Sequence, residues 1–138
     1  MANKSITIAY QGEPGAYSEQ AIRQHFGLEA TTMPCRGFTD IFDAIHEKQA
    51  DHGMLPVENS LAGTVIPAYD QLVDHDLRIQ AEVILKIEHC LMSLPGESLT
   101  DIQQARSHPQ ALAQCAQTLS RLGLEPVSHY DTAGAARD

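Results

Sequence analysis

Ser5-Ile6-Thr7-Ile8-Ala9-Tyr10 leads into Gly12-Glu13-Pro14-Gly15, after which Tyr17, Ala21, Ile22, His25 and Phe26 recur at helical spacing before Gly27. The first run is rich in β-favouring residues, with Ile6, Ile8 and Tyr10 on one side. The second is a cluster of chain breakers, and the third has the period of an amphipathic helix closed by glycine. Strand, glycine-rich loop and helix in that order open an α/β fold, in which mainly parallel strands alternate with crossover helices. The alternation continues. Ala30 to Pro34 reads as a weak strand, and Phe38, Ile41, Phe42 and Ile45 form one apolar helical stripe. His52 to Val57 reads as a short strand and Glu58 to Thr64 as a polar turn. Val65, Ala68, Tyr69, Leu72 and Val73 then form the core face of a helix capped by Thr64, with Pro67 tolerated in its first turn.

From Leu77 to Leu94, Ile79, Ala81, Val83, Leu85 and Ile87 alternate with Arg78, Gln80, Glu82 and Lys86. Because a strand usually has about 5–6 residues, the run is expected to hold two strands in series. One would finish a first lobe, residues 1–85, and the next would open a second, residues 86–138. Leu99 to Gln104 reads as a capped turn or short helix. Ser107-His108-Pro109-Gln110 opens a helix whose face is Leu112, Cys115, Ala116, Leu119 and Leu122, and Gly123 ends it. Pro126 to Tyr130 is strand-like, and Asp131-Thr132 caps a last helix. The second lobe is expected to be incomplete at its C-terminal end, since the sequence stops inside that helix.

Composition narrows the function. The 138 residues are 43% hydrophobic and 20% charged, with nine Lys+Arg against eighteen Asp+Glu and a formal charge of −9. That is a globular composition of a size for one domain or two small lobes. The acidic balance and scattered bases argue against a nucleic-acid partner. No apolar run reaches the ~20 residues of a bilayer span, so no membrane segment is expected. Met1-Ala2-Asn3-Lys4-Ser5 carries no secretory apolar region, which places the expected location in the cytoplasm. Cys35, Cys90 and Cys115 are odd in number and far apart, as reduced thiols are.

In open α/β sheets ligands sit beyond the carboxyl ends of the strands, so the strand-to-helix turns at 10–18, 57–65, 106–110 and 130–133 are the candidate binding positions. They carry Gly, Ser, Thr and Asn at helix starts, a chemistry suited to a carboxylate or phosphate. The same residues also serve as ordinary helix caps. Gly12 and Gly15 lack the third glycine of a dinucleotide fingerprint and the Lys-Ser/Thr of a phosphate loop. The seven histidines show neither an i, i+4 pair nor a Cys-x-x-Cys companion, so neither a metal nor an organic cofactor is expected. Glu58 beside a helix start reads as a dipole partner or as an acid–base group.

Three segments taken together resemble the prephenate dehydratase family. They are Ala9-Tyr10-Gln11-Gly12-Glu13-Pro14-Gly15-Ala16-Tyr17-Ser18, Pro56-Val57-Glu58-Asn59-Ser60-Leu61-Ala62-Gly63, and Ser107-His108-Pro109-Gln110 with Gln114-Cys115. The resemblance covers essentially the whole chain and implies a type II periplasmic-binding-protein-like fold with two α/β lobes around a substrate cleft. It implies loss of water and carbon dioxide from prephenate to give phenylpyruvate, in phenylalanine biosynthesis and without a cofactor. By motif, Asn59, Ser107 and Gln114 would line the cleft, with Glu58, Ser60 and Gly15, Ala16 and Tyr17 of the 12–18 loop adjacent. Thr132 joins them as a substrate-binding position for a small dicarboxylate. The family's Thr-Arg-Phe motif, whose Thr is the candidate for assisting loss of the ring hydroxyl, does not occur in this sequence. It and the regulatory ACT domain are expected beyond Asp138. No catalytic group is therefore assigned within the chain, which is expected to be inactive alone and to self-associate as a homo-oligomer through uncovered apolar surface. Two alternatives remain open: a non-catalytic small-anion binding or interaction module, and a preference for arogenate.

Overall fold

The computed structural model describes residues 5–138, which fall into two compact units divided between Lys86 and Ile87. The first is built on a parallel sheet of β1 (Thr7–Gln11), β2 (Thr31–Cys35) and β3 (His52–Met54), in the order β2-β1-β3. Ile8, Ala9 and Tyr10 are all fully buried. A strand buried on both faces needs a helical layer on each side, and the alternation of its side chains supplies the two cores. Ile8 and Tyr10 pack with Ile22 of α1 (Tyr17–Phe26), whereas Ala9 packs with Ile41, Phe42 and Ala44 of α2 (Phe38–His46). Gly53 in β3 is required by that second contact. A Cβ there would lie 2.6 Å from Ile41 Cγ2 and 3.1 Å from Ile45 Cδ1.

The polar turn after β3 closes as a small antiparallel hairpin, β4 (Glu58–Asn59) and β5 (Gly63–Thr64). Thr64 is thus a strand residue paired with Glu58, not the expected cap. Val65 stands at the N-cap of α3 (Ile66–Asp74) without a side-chain hydrogen bond. Of the expected core face, Ala68 is fully buried, but Tyr69 and Val73 are exposed.

The expected strands between Leu77 and Leu94 are not formed. Leu77 packs against the α2 core, and Gln24 Nε2 donates to the Ile84 carbonyl at 3.2 Å. Ile79, Ile84, Leu91, Met92 and Leu94 face solvent. Period-two alternation yields a strand only where a neighbour supplies the matching N–H and C=O groups, and no described strand lies alongside this segment.

The second unit pairs β6 (Gln104–Ser107) with β7 (Glu125–Ser128) in parallel, in the register Gln104↔Glu125 to Ser107↔Ser128. Their crossover is two helices instead of the one expected, α4 (Pro109–Gln114) and α5 (Ala116–Leu122). The break falls at Cys115, at φ −98° and ψ 2°, where the N–H reaches the carbonyls of both Ala111 and Leu112 at 3.1 Å. Ala105, Leu112, Leu119 and Leu124 form the core, with Cys115 and Leu122 against it. The shift in helical phase leaves Ala116 outside. Gly123 then ends α5 in the left-handed conformation, φ +68°. Asp131 caps α6 (Thr132–Arg137) by accepting from the Gly134 N–H at 2.7 Å. The segment after Gly96 is a turn closed by the Ser98 N–H donating to Asp101 Oδ2.

Candidate functional site

Because β6 and β7 run parallel, the segments that leave them emerge at the same edge of the sheet. Ser107 is the last residue of β6, and its carbonyl accepts from the His129 N–H at 2.8 Å, so the ladder continues past the assigned end of β7. That register sets Thr132, the first residue of α6, beside Ser107. Ser107 Oγ donates to Thr132 Oγ1 at 3.3 Å, and both side chains are half-buried. Ser107 spends its hydroxyl hydrogen on Thr132, and so Thr132 retains a hydrogen to direct at a third group. Gln114 closes α4, where its Oε1 lies 2.8 Å from His89 Nε2. The Gln114–His89 and Ser107–Thr132 contacts are separate hydrogen-bonded pairs.

In the first unit Asn59 Oδ1 accepts from the N–H groups of Leu61 at 2.9 Å and Ala62 at 3.1 Å. This Asx turn closes the β4–β5 hairpin and uses the carbonyl end of the side chain, leaving the amide end as the donor. Glu58 and Ser60 are exposed on the same hairpin.

The 12–18 loop is arranged differently. Gly15, at φ +92°, donates its N–H to Glu19 Oε2 at 2.7 Å, and the Ala16 N–H donates to the Glu13 carbonyl at 3.0 Å. Ala16 is the N-cap of α1 and Tyr17 its first residue. Glu19 also accepts from Thr32 Oγ1 and Arg23 Nη2, each at 3.1 Å, and Arg23 binds the carbonyls of Leu28 and Ala30. The Gly15 N–H above all, then Thr32 and Arg23, hold the Glu19 carboxyl below the usual carboxylate range against an opposing contribution from burial. The protein's own carboxylate thus occupies the Gly15 N–H, one of the donors of this loop. Sequence reading passed over Glu19, although an acid in the first helical turn with Arg23 four residues on is a recognisable cap pattern. For His89, which is 25 residues from its partner, no local signal exists.

Other reactive groups do not add to these positions. Burial, with the nearby Asp40 charge, pushes the Cys35 thiol up, away from a reactive thiolate. His46 Nε2 and His75 Nδ1 face each other at 3.1 Å. Among the described residues no three His, Cys, Asp or Glu side chains converge as a metal site would require. Nor is any described helix long and apolar enough to cross a membrane.

Comparison with known proteins places the chain in one family. The family model for prephenate dehydratase matches residues 8–138. The chain is 43% identical over 132 residues to arogenate dehydratase/prephenate dehydratase 2, chloroplastic, of Arabidopsis thaliana, covering 96% of this chain and 34% of that protein. It is 44% identical over 134 residues to a bifunctional N-acyl-homoserine lactone acylase/prephenate dehydratase of Komagataeibacter europaeus, covering 97% of this chain and 47% of that one. Among solved structures it resembles the quorum-quenching acylase GqqA, with a TM-score of 0.84 at 44% identity over 94% of this chain and 47% of that one. It also resembles the Arthrobacter aurescens prephenate dehydratase in complex with L-Phe, with a TM-score of 0.77 at 27% identity over 96% of this chain and 45% of that one. The chain therefore spans a third to a half of the length of these relatives. With mainly parallel α/β units and a family match across nearly every residue, the chain belongs to the prephenate dehydratase family.

Proposed function

We propose that this chain forms part of the catalytic domain of a prephenate dehydratase and binds the substrate dicarboxylate, its two units being the lobes of a type II periplasmic-binding-protein-like fold. The observation that carries this reading is the Ser107–Thr132 hydroxyl pair at the carboxyl edge of the parallel β6–β7 sheet, inside a chain of this family. In the overall reaction the bond from the ring to its carboxylate breaks, releasing carbon dioxide. Its electron pair completes the aromatic ring, and the ring hydroxyl departs, gaining a proton to leave as water. Aromatisation supplies the driving force, so the protein's task is to orient the anion and donate toward the leaving oxygen. Ser107 and Thr132 serve as hydroxyl donors, and Asn59 and Gln114 as amide donors. Glu58 and Ser60 lie beside Asn59, while Gly15, Ala16 and Tyr17 shape a neighbouring loop rather than receiving the anion on the Gly15 N–H.

Arogenate, which keeps the ring carboxylate and hydroxyl and carries an ammonium in place of the keto group, fits the same donor set. Several relatives are named for it. The acylase reading, raised by the names of two relatives at 44% identity, needs an activated nucleophile. Ser107 Oγ donates to Thr132 instead of to an imidazole. We place the protein in the cytoplasm and assign it a homo-oligomeric state, the latter supported by exposed Ile79, Ile84, Leu91, Met92 and Leu94.

With no Thr-Arg-Phe in its sequence, the chain is expected to bind prephenate without turning it over. The test is to assay phenylpyruvate formation by the chain alone and with a Thr-Arg-Phe-containing segment of a relative supplied in trans. Activity only in the second case supports the reading. Full activity from the chain alone overturns the role given to that motif, and hydrolysis of an acyl-homoserine lactone in place of prephenate turnover overturns the assignment.

A further inference from the structure

We infer that His89 is a positioning residue: its Nε2–H fixes the orientation of the Gln114 side-chain amide and so decides which end of Gln114 is offered to an anionic ligand. This rests on the proposed role of Gln114 in prephenate binding. A glutamine amide presents an acceptor at one end and two donors at the other, and its terminal torsion is broad and roughly two-fold. Left alone, such a side chain offers a carboxylate its repulsive oxygen about as readily as its N–H groups.

The 2.8 Å contact between His89 Nε2 and Gln114 Oε1 removes that ambiguity. With the oxygen engaged by an imidazole N–H, the amide N–H groups are turned away from His89. Both partners are half-buried, which limits the water that would otherwise compete for the contact. Gln114 is also the last residue of α4, at the break at Cys115 that separates it from α5. His89 itself lies in a segment with no helix or strand. The tie spans 25 residues within the second unit and joins that irregular segment to the crossover helix.

The full chain tests this with prephenate as the probe. Binding is titrated by calorimetry for the wild type, Gln114→Ala, His89→Ala, His89→Gln and the double His89→Ala/Gln114→Ala variant. Nitrogen NMR in parallel reads the His89 tautomer and the Gln114 side-chain NH2 signals. Gln114→Ala is expected to weaken binding about tenfold and His89→Ala several-fold. His89→Gln puts an amide N–H near the place of Nε2–H and is expected to restore most of the loss. The double variant should bind no more weakly than Gln114→Ala alone, because His89 acts only through Gln114. The wild type should show His89 protonated at Nε2, and the Gln114 NH2 signals should shift on prephenate addition and move toward free-amide values in His89→Ala.

The failures are separable. Absence of prephenate binding by the wild type, or an unchanged affinity in Gln114→Ala, overturns the site reading and this inference with it. A weakened Gln114→Ala beside an unaffected His89→Ala, an additive double variant, or a His89 ring protonated only at Nδ1 overturns the positioning role alone. A lower melting temperature in His89→Ala that His89→Gln corrects without recovering affinity marks a purely structural contact and likewise overturns it.

Discussion

Two strand-to-helix turns look alike in the sequence and behave differently in the fold. The turn after β1 offers Gly12, Gly15 and Ser18 before α1, and the turn after β6 offers Ser107 before α4. The first is closed internally, with the Gly15 N–H on Glu19 and Glu19 in turn held by Thr32 and Arg23. In the second, His108 Nδ1 accepts the Gln110 N–H at 3.2 Å as the cap of α4, but the Ser107 hydroxyl is bonded to another hydroxyl, on Thr132, and not to a carboxylate. A turn rich in donors is therefore a binding candidate only after its internal acceptors have been counted. The carboxylate that closes the first turn lies four residues beyond Gly15, inside the helix.

The largest effect is expected in the first unit, in the core between the sheet and α2. Gly53→Ala sets a Cβ against Ile41 and Ile45 and is expected to destabilise the chain by about 1–3 kcal/mol, the usual cost of overpacking. Urea unfolding measures it. Next comes the closing carboxylate. Glu19→Gln should cost about 1–2 kcal/mol, since it weakens charge-assisted bonds to Gly15, Thr32 and Arg23. It should leave prephenate affinity unchanged.

The same residue sets a pH signature. Its folded-state pKa is lowered, so its stabilisation is full above the ordinary carboxylate range and is lost as pH falls through the depressed value. Melting temperatures followed from about pH 5.5 down to about pH 3 should fall more steeply for the wild type than for Glu19→Gln, whose amide does not titrate. Equal slopes would remove Glu19 from the account. The smallest effect concerns the exposed apolar side chains of the 77–94 segment. Ile84→Ser with Leu94→Ser should shift the wild-type mass distribution toward monomer in light scattering, with little change in unfolding free energy, because both side chains already face water.

What was legible in the sequence follows from locality. β1, α1 and α2 were readable because Ile8, Tyr10, Ile22, Ile41 and Phe42 repeat with the period of their element and are buried as that period requires. The 77–94 alternation misled because a strand also depends on a partner that alternation does not encode. The break at Cys115 was hidden because Leu112, Cys115 and Leu119 keep helical spacing while their backbone does not. At the candidate site the sequence names the motif residues but not their partners. Thr132 lies beside Ser107 only through the parallel register of β6 and β7, and His89 meets Gln114 across a segment without regular structure.

The most direct test titrates prephenate into the wild-type chain, Ser107→Ala and Glu19→Gln under identical conditions. Saturable wild-type binding is expected, weakened about tenfold or more in Ser107→Ala, as loss of a hydrogen bond to a charged ligand requires, and unchanged in Glu19→Gln. Equal affinity in wild type and Ser107→Ala, or a loss confined to Glu19→Gln, would contradict the assignment of the ligand to the β6–β7 edge.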